Sequence, residues 1–89
     1  MSPFLGGSAF TMTRDVGEGF IQVSERTFRG MSDGELQQLA HESERYMREL
    51  RGESGVHDDS AELQARQRRL QRLRQAMTVL RAYQQKTRR

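Results

Sequence analysis

A seven-residue spacing, filled mostly by apolar residues, constrains the last third of the chain more than any other feature. Two interleaved series are formed by Leu63, Leu70 and Met77, and by Arg66, Leu73 and Leu80. Such series are the a and d positions of a helix that packs on a neighbour along a narrow stripe. The pattern predicts a helix over about residues 61–86.

The segment MSDGEL, residues 31–36, carries the signals of a helix start. The Ser32 side chain can accept a hydrogen bond from the Glu35 N–H, while the Glu35 carboxylate can accept one from the Ser32 N–H. Apolar residues then recur at helical spacing as far as Leu50, and Gly52 is typical of a helix end. We expect a helix over about 33–51 and a loop over 52–60, which favours antiparallel helices.

The first thirty residues carry weaker signals. An alternating segment, AFTMTR, a turn-like DVGEG and the β-branched and aromatic FIQVSERTF follow one another. One expectation is a β-hairpin over residues 9–30 that packs on the helices. The other is an extended arm over the same residues that becomes ordered on a partner. Residues 1–8 are expected to be disordered.

Two helices alone would bury little apolar surface. The chain has 89 residues and no cysteine, so neither a disulfide nor a thiolate metal site can add stability. Either the first thirty residues or a second chain must cover the stripe. The predicted fold is mainly α: an antiparallel two-helix hairpin over 31–89 with a small N-terminal β-hairpin or extended arm, completed by self-association.

The sequence contains no motif typical of catalysis or cofactor binding. His57, Asp58 and Asp59 offer metal-ligating atoms, but no second cluster supplies further ligands, so capping and solubility are the favoured roles. No serine lies in a Gly-x-Ser-x-Gly turn, and GEG at 17–19 is too short to cradle a phosphate. We expect a protein that is not an enzyme and has no cofactor or metal.

The sequence also lacks the features of a membrane or secreted protein. No apolar run approaches the roughly 18–20 residues of a membrane span. The N-terminal MSPFLGGSAF has neither the charged start nor the sustained apolar core of a secretory signal. The expectation is a soluble, cytoplasmic protein without membrane contact.

Charge is distributed unevenly along the chain. Residues 32–53 carry six acids against three arginines, a net −3, whereas residues 60–89 carry eight arginines and Lys86 against Glu62, a net +8. On the seven-residue frame, three arginines flank the stripe: Arg69, Arg74 and Arg81. They can face acids of the first helix, with Glu42, Glu44 and Glu49 as the candidates. Opposite charges on neighbouring helices help to fix their orientation.

The favoured function is a small protein-binding module, an adaptor, regulator or assembly component of bacterial or phage type that acts through helix-face contacts. The expected interface, to a protein partner and to a second copy, is Leu70, Leu73, Met77, Val79, Leu80 and Tyr83. Val79 and Tyr83 would reach the second chain or the partner. The alternative is an RNA- or DNA-binding hairpin whose outward basic residues meet phosphates. Those residues are Arg68, Arg72, Lys86, Arg88 and Arg89.

Two motifs within residues 32–86 resemble a ribosomal protein family of antiparallel helical hairpins. SDGEL is similar to the Ser-x-x-Glu-Leu that opens its first helix, and RRLQRLRQAMTVLR is similar to its arginine-rich last helix. The resemblance implies a helical hairpin bound to large-subunit RNA. The basic loop of that family is replaced here by the acidic GESGVHDDS, and residues 1–31 have no counterpart in it. We therefore assign no family.

Overall fold

The computed structural model describes residues 4–52 and 60–87, and builds them mainly from helices. Four helices follow in order: α1 (Ala9–Glu18), α2 (Glu25–Phe28), α3 (Asp33–Gly52) and α4 (Ser60–Thr87). They hold 81% of the described residues. The predicted mainly helical fold is confirmed. Most of the predicted loop, residues 53–59, lies outside the described residues, as do Arg88 and Arg89.

The β-hairpin predicted for residues 9–30 is wrong, since no strand occurs in this described stretch. The segment AFTMTR opens α1, where the Ser8 side chain accepts a hydrogen bond from the Thr11 N–H at 3.1 Å. Ala9, Met12 and Val16 are all buried, because positions i, i+3 and i+7 share one face of a helix. An extended arm is absent too, since α1 packs against both α3 and α4.

The reciprocal hydrogen bonds predicted at the start of α3 are present. The Ser32 N–H donates to Glu35 Oε1 at 2.7 Å, and the Glu35 N–H donates to Ser32 Oγ at 3.2 Å. Together they satisfy two backbone groups that the first turn of a helix leaves without partners. The chain therefore has a fixed starting point for its second longest helix.

Two apolar clusters form the core between α1, α3 and α4. The first consists of Ala9, Met12, Phe28, Met31, Leu36, Leu39 and Leu80. The second consists of Val16, Met47, Leu50, Leu70, Leu73 and Met77. The start of α3 thus lies near the end of α4, and the end of α3 lies near the first half of α4, so the two helices run in opposite directions.

The apolar stripe of α4 is covered by the N-terminal part of the same chain. Leu73 is 0% exposed and Leu80 is 2% exposed. Residues of α1 and α2 belong to the same clusters, Val16 to that of Leu73 and Phe28 to that of Leu80. The core therefore does not need a second chain to cover the stripe of α4.

Candidate functional site

The end of α1 fixes the position of Phe20. Gly19 adopts a φ of 86°, a left-handed conformation that glycine enters without steric cost. The Gly19 N–H donates to the Val16 carbonyl at 3.1 Å, and the Phe20 N–H donates to the Asp15 carbonyl at 2.9 Å. This pair of bonds is a Schellman motif. The backbone at Phe20 is therefore held by hydrogen bonds on the helix end.

The Phe20 side chain lacks the apolar contact that this motif normally supplies. In a Schellman motif, an apolar residue after the glycine usually packs on the side chain of the residue that accepts its backbone hydrogen bond. For Phe20 the accepting residue is Asp15, whose side chain is acidic. Phe20 is 78% exposed, more than any other exposed large hydrophobic residue described; the others are Leu5, Phe10 and Leu63. A fixed backbone thus presents an aromatic ring to solvent.

Phe20 borders a surface groove of about 370 Å³ between the loop after α1 and the middle of α4. The apolar residues that line it are Val16, Ile21, Val23 and Ala76, and Arg72 and Gln75 of α4 add polar groups. Glu18 and Gln22 also line the groove, so it combines apolar side chains with polar groups, and such a combination can both bury and orient a partner side chain. We call Phe20, this groove and Arg68, which lies one helical turn from Arg72 on α4, the Phe20 surface.

Arg72, one of the predicted nucleic-acid contacts, binds the end of α1. Its Nη1 donates to the Gly17 carbonyl at 2.9 Å. The last carbonyls of a helix have no partner within the helix and carry the negative end of its dipole, so a guanidinium there is favourable. The same guanidinium lies beside Gly19, where an added Cβ would be 3.1 Å from Arg72 Cζ. Arg72 therefore helps to hold the turn that positions Phe20.

Of the other predicted nucleic-acid contacts that the structure describes, Arg68 lies one helical turn from Arg72 on α4, whereas Lys86 forms an ion pair. Lys86 Nζ lies 2.8 Å from Glu25 Oε1, and this ammonium group holds the pKa of Glu25 below its usual range. Arg68 is exposed and forms no ion pair with another described residue. The structure describes three of the predicted contacts, Arg68, Arg72 and Lys86, and among them only the side chain of Arg68 has no hydrogen bond or ion pair to another described residue.

The three arginines expected to face the acids of α3 have different surroundings. Arg81 pairs with Glu44, as expected. Arg69 binds Glu18 of α1 instead, with Arg69 Nε 2.8 Å from Glu18 Oε1. Arg74 is exposed and forms no ion pair with another described residue. The sequence pattern does not predict α1, and for that reason it does not identify Glu18 as a partner of Arg69.

Arg14 lies between two aromatic rings and joins α1 to α3. Its Cζ is 3.9 Å from the ring centroid of Phe10 and 4.1 Å from that of Tyr46. Its Nη2 is 3.1 Å from Glu49 Oε2. An exposed cation–π contact contributes about 0.5–1 kcal/mol. Phe10 is therefore engaged by its own chain, which sets it apart from Phe20.

The residues predicted as a protein interface contact their own chain. Four of them are buried: Leu70 at 8%, Leu73 at 0%, Met77 at 7% and Leu80 at 2% exposure. Val79 and Tyr83 are half-buried and pack on the first apolar cluster. The Tyr83 ring centroid lies 6.0 Å from that of Phe28. In this conformation a partner has no access to the four buried residues.

Neither a metal site nor a membrane span is evident within residues 4–52 and 60–87. No group of three or more His, Cys, Asp or Glu side chains in these ranges has an arrangement that could hold a metal ion. The candidate ligands His57, Asp58 and Asp59 lie outside the described residues. None of the four described helices combines the length and the apolar character needed to cross a bilayer.

Replacing Gly19 with alanine is expected to lower the free energy of unfolding by about 1–2 kcal/mol, because a side chain is strained at this φ. Urea denaturation followed by circular dichroism measures the change. Gly30→Ala is the matched control, since Gly30 does not have a positive φ and its added Cβ would meet no atom within 4 Å. Equal effects of the two substitutions would contradict the role assigned to Gly19.

The sequence pattern did not identify Phe20 as a site residue, because FIQVSERTF favoured a β-hairpin or an extended arm over residues 9–30. The signal that could have found it is the glycine before Phe20 together with the acid five positions earlier, Asp15, which predicts a helix end without an apolar contact. No protein-family model, curated protein or solved structure matches the chain, and its function therefore has to be inferred from its own residues.

Proposed function

We propose that this protein is a small, non-enzymatic protein-binding module whose contact surface is the Phe20 surface. The observation that carries the proposal is the ring of Phe20, which is 78% exposed, lies beside a groove of mixed apolar and polar lining, and has its backbone held by hydrogen bonds to the end of α1. Exposed apolar patches with polar surroundings mark interaction sites, and aromatic anchors often dominate the energy of an interface. The role is that of an adaptor, regulator or assembly component.

The fixed backbone favours binding through this surface. Association costs free energy for every side chain and loop that it orders. The Gly19 and Phe20 hydrogen bonds already order the turn, and Arg72 ties it to α4. Binding therefore requires little further ordering of this loop, and α4 supplies the helix face on the opposite side of the groove.

The alternative, RNA or DNA binding through outward basic residues of α4, has less support. Of its candidate residues that the structure describes, Lys86 pairs with Glu25 and Arg72 donates to the Gly17 carbonyl. Phosphate binding would have to compete with these pairs. It would also show a steep fall in affinity with salt, because each phosphate contact releases counterions.

Replacing Phe20 with serine is expected to abolish capture of the protein partner while leaving the fold intact. The tagged full-length chain is incubated with nuclease-treated native lysate, and retained proteins are quantified by mass spectrometry. For an isolated partner the affinity should fall by about tenfold or more, as for aromatic hot spots. The free energy of unfolding should change by less than about 0.5 kcal/mol, because the residue is exposed.

Leu63→Ser is the matched control, since Leu63 is also an exposed apolar residue, 43% exposed, near the start of α4. It should retain the partners of the unmodified protein. Retention of the same proteins by Phe20→Ser would contradict the proposal. Retention of proteins from untreated lysate that is lost in the nuclease-treated lysate would favour the nucleic-acid alternative.

A further inference from the structure

We infer that the groove beside Phe20 receives a partner segment with one large apolar side chain and carboxylates within a helical turn of it, an acidic peptide motif. The inference rests on the proposed protein-binding function and specifies the chemistry of its partner. It follows from the floor of the groove, from the charges along its edge and from the charge of the chain as a whole.

The floor of the groove favours an apolar anchor. Its apolar side chains come from α1, the following loop and α4, through Val16, Ile21, Val23 and Ala76. The volume of about 370 Å³ accommodates one large side chain together with part of its backbone. Phe20 covers such a side chain from one wall, where contacts between aromatic and apolar groups add to the burial energy.

The charge left uncompensated along the groove is positive. Glu18 also lines it, but this carboxylate accepts a hydrogen bond from Arg69 Nε at 2.8 Å. Arg72 gives one donor to Gly17, and because a guanidinium carries five N–H donors, others remain for a carboxylate. Arg68 lies one helical turn away on α4, exposed. Carboxylates of a partner thus meet two arginines at helical spacing.

A second copy of this chain is a poor occupant. The chain carries a net +3, and residues 60–87 carry +6. Two copies joined through their Phe20 surfaces would bring Arg68 and Arg72 of each α4 towards the same residues of the other. Like charges across an interface are unfavourable, whereas opposite charges promote encounter and select the partner. An acidic partner satisfies both the apolar floor and the basic edge.

The test is selection of random dodecapeptides displayed on phage against the full chain, with counter-selection on Phe20→Ser. Enriched peptides should contain a large aliphatic or aromatic residue with Asp or Glu within one helical turn. A synthetic peptide from the selection, measured by fluorescence anisotropy, should lose about tenfold or more in affinity with Phe20→Ser. Its affinity should fall about two- to fivefold with Arg68→Gln, the range for a surface ion pair.

Arg74→Gln is the matched control for charge. It removes the same charge from α4 at another exposed position that has no ion pair to a described residue. Because Arg74 is six residues from Arg68, it lies on a different face of the helix. It should change the affinity less than Arg68→Gln does. Equal effects would mean that only overall charge matters, which would overturn the placement of the carboxylates beside Arg68.

The outcomes separate the inference from the function on which it rests. Enriched peptides that depend on Phe20 but lack acids would overturn the acidic motif and leave protein binding in place. Tight binding of labelled oligothymidine with no enriched peptide would overturn both the acidic motif and the proposed protein-binding function. A Phe20-dependent dimer in sedimentation would replace the acidic partner with a second copy.

Discussion

Replacing Phe28 with alanine is expected to lower the free energy of unfolding by about 3–5 kcal/mol, the usual effect of deleting a buried aromatic ring. Phe28 is 1% exposed and is the last residue of the short helix α2. It packs in the first apolar cluster with Met31, Leu36 and Leu80. Small domains are stable by about 5–15 kcal/mol, so the variant should lose much of its stability. Urea denaturation followed by circular dichroism measures it.

Phe20→Ala is the control, because it deletes the same ring from an exposed position in the loop before α2. Its free energy of unfolding should stay within about 0.5 kcal/mol of that of the unmodified protein. A similar loss in both variants would mean that the two rings have similar surroundings in solution. That result would contradict both the packing of α2 and the exposure on which the proposed function depends.

Replacing Leu73 with alanine is expected to cost about 2–5 kcal/mol. Leu73 is 0% exposed and belongs to the second apolar cluster, which also contains Val16 of α1 and Met47 and Leu50 of α3. The cavity left by the substitution would therefore open at the junction of three helices, where none can move inward without disturbing the other two. Thermal and urea denaturation of the purified variant measure the effect.

Leu63→Ala provides the comparison on the same helix. Leu63 shares the seven-residue pattern with Leu70, but it is 43% exposed, so its truncation should change the free energy of unfolding by less than about 0.5 kcal/mol. A large loss for Leu63→Ala would show that the stripe is covered along its whole length. Small losses for both leucines would contradict the three-helix core.

The helices with local signals could be predicted from the sequence. The cap at Ser32 and Glu35 joins residues three apart, so MSDGEL contains all that is needed to start α3. The N-terminal helix could not be predicted in this way. The apolar residues of AFTMTR fit both the two-residue period of a strand and the 3.6-residue period of a helix. The helix forms because it buries Met12 in a cluster with residues far along the chain, and such tertiary contacts override local preference.

The candidate site depends on contacts that a linear pattern does not contain. Arg72 and Gly17 are 55 positions apart in the chain, and only the fold makes the arginine a cap for α1. The arginines of residues 66–75 therefore have different roles, although they are close together in the sequence. The exposure of Phe20 likewise depends on Asp15 at the helix end and on the path of the loop towards α2.

The division of the core into two clusters gives each end of the molecule its own optical reporter. The chain has no tryptophan and two tyrosines. Tyr46 packs on the second cluster, beside Arg14, and Tyr83 packs on the first, beside Phe28. With either tyrosine replaced by phenylalanine, the near-ultraviolet signal of the other follows one end alone. Coincident transitions of the two signals would identify the helices as a single cooperative unit.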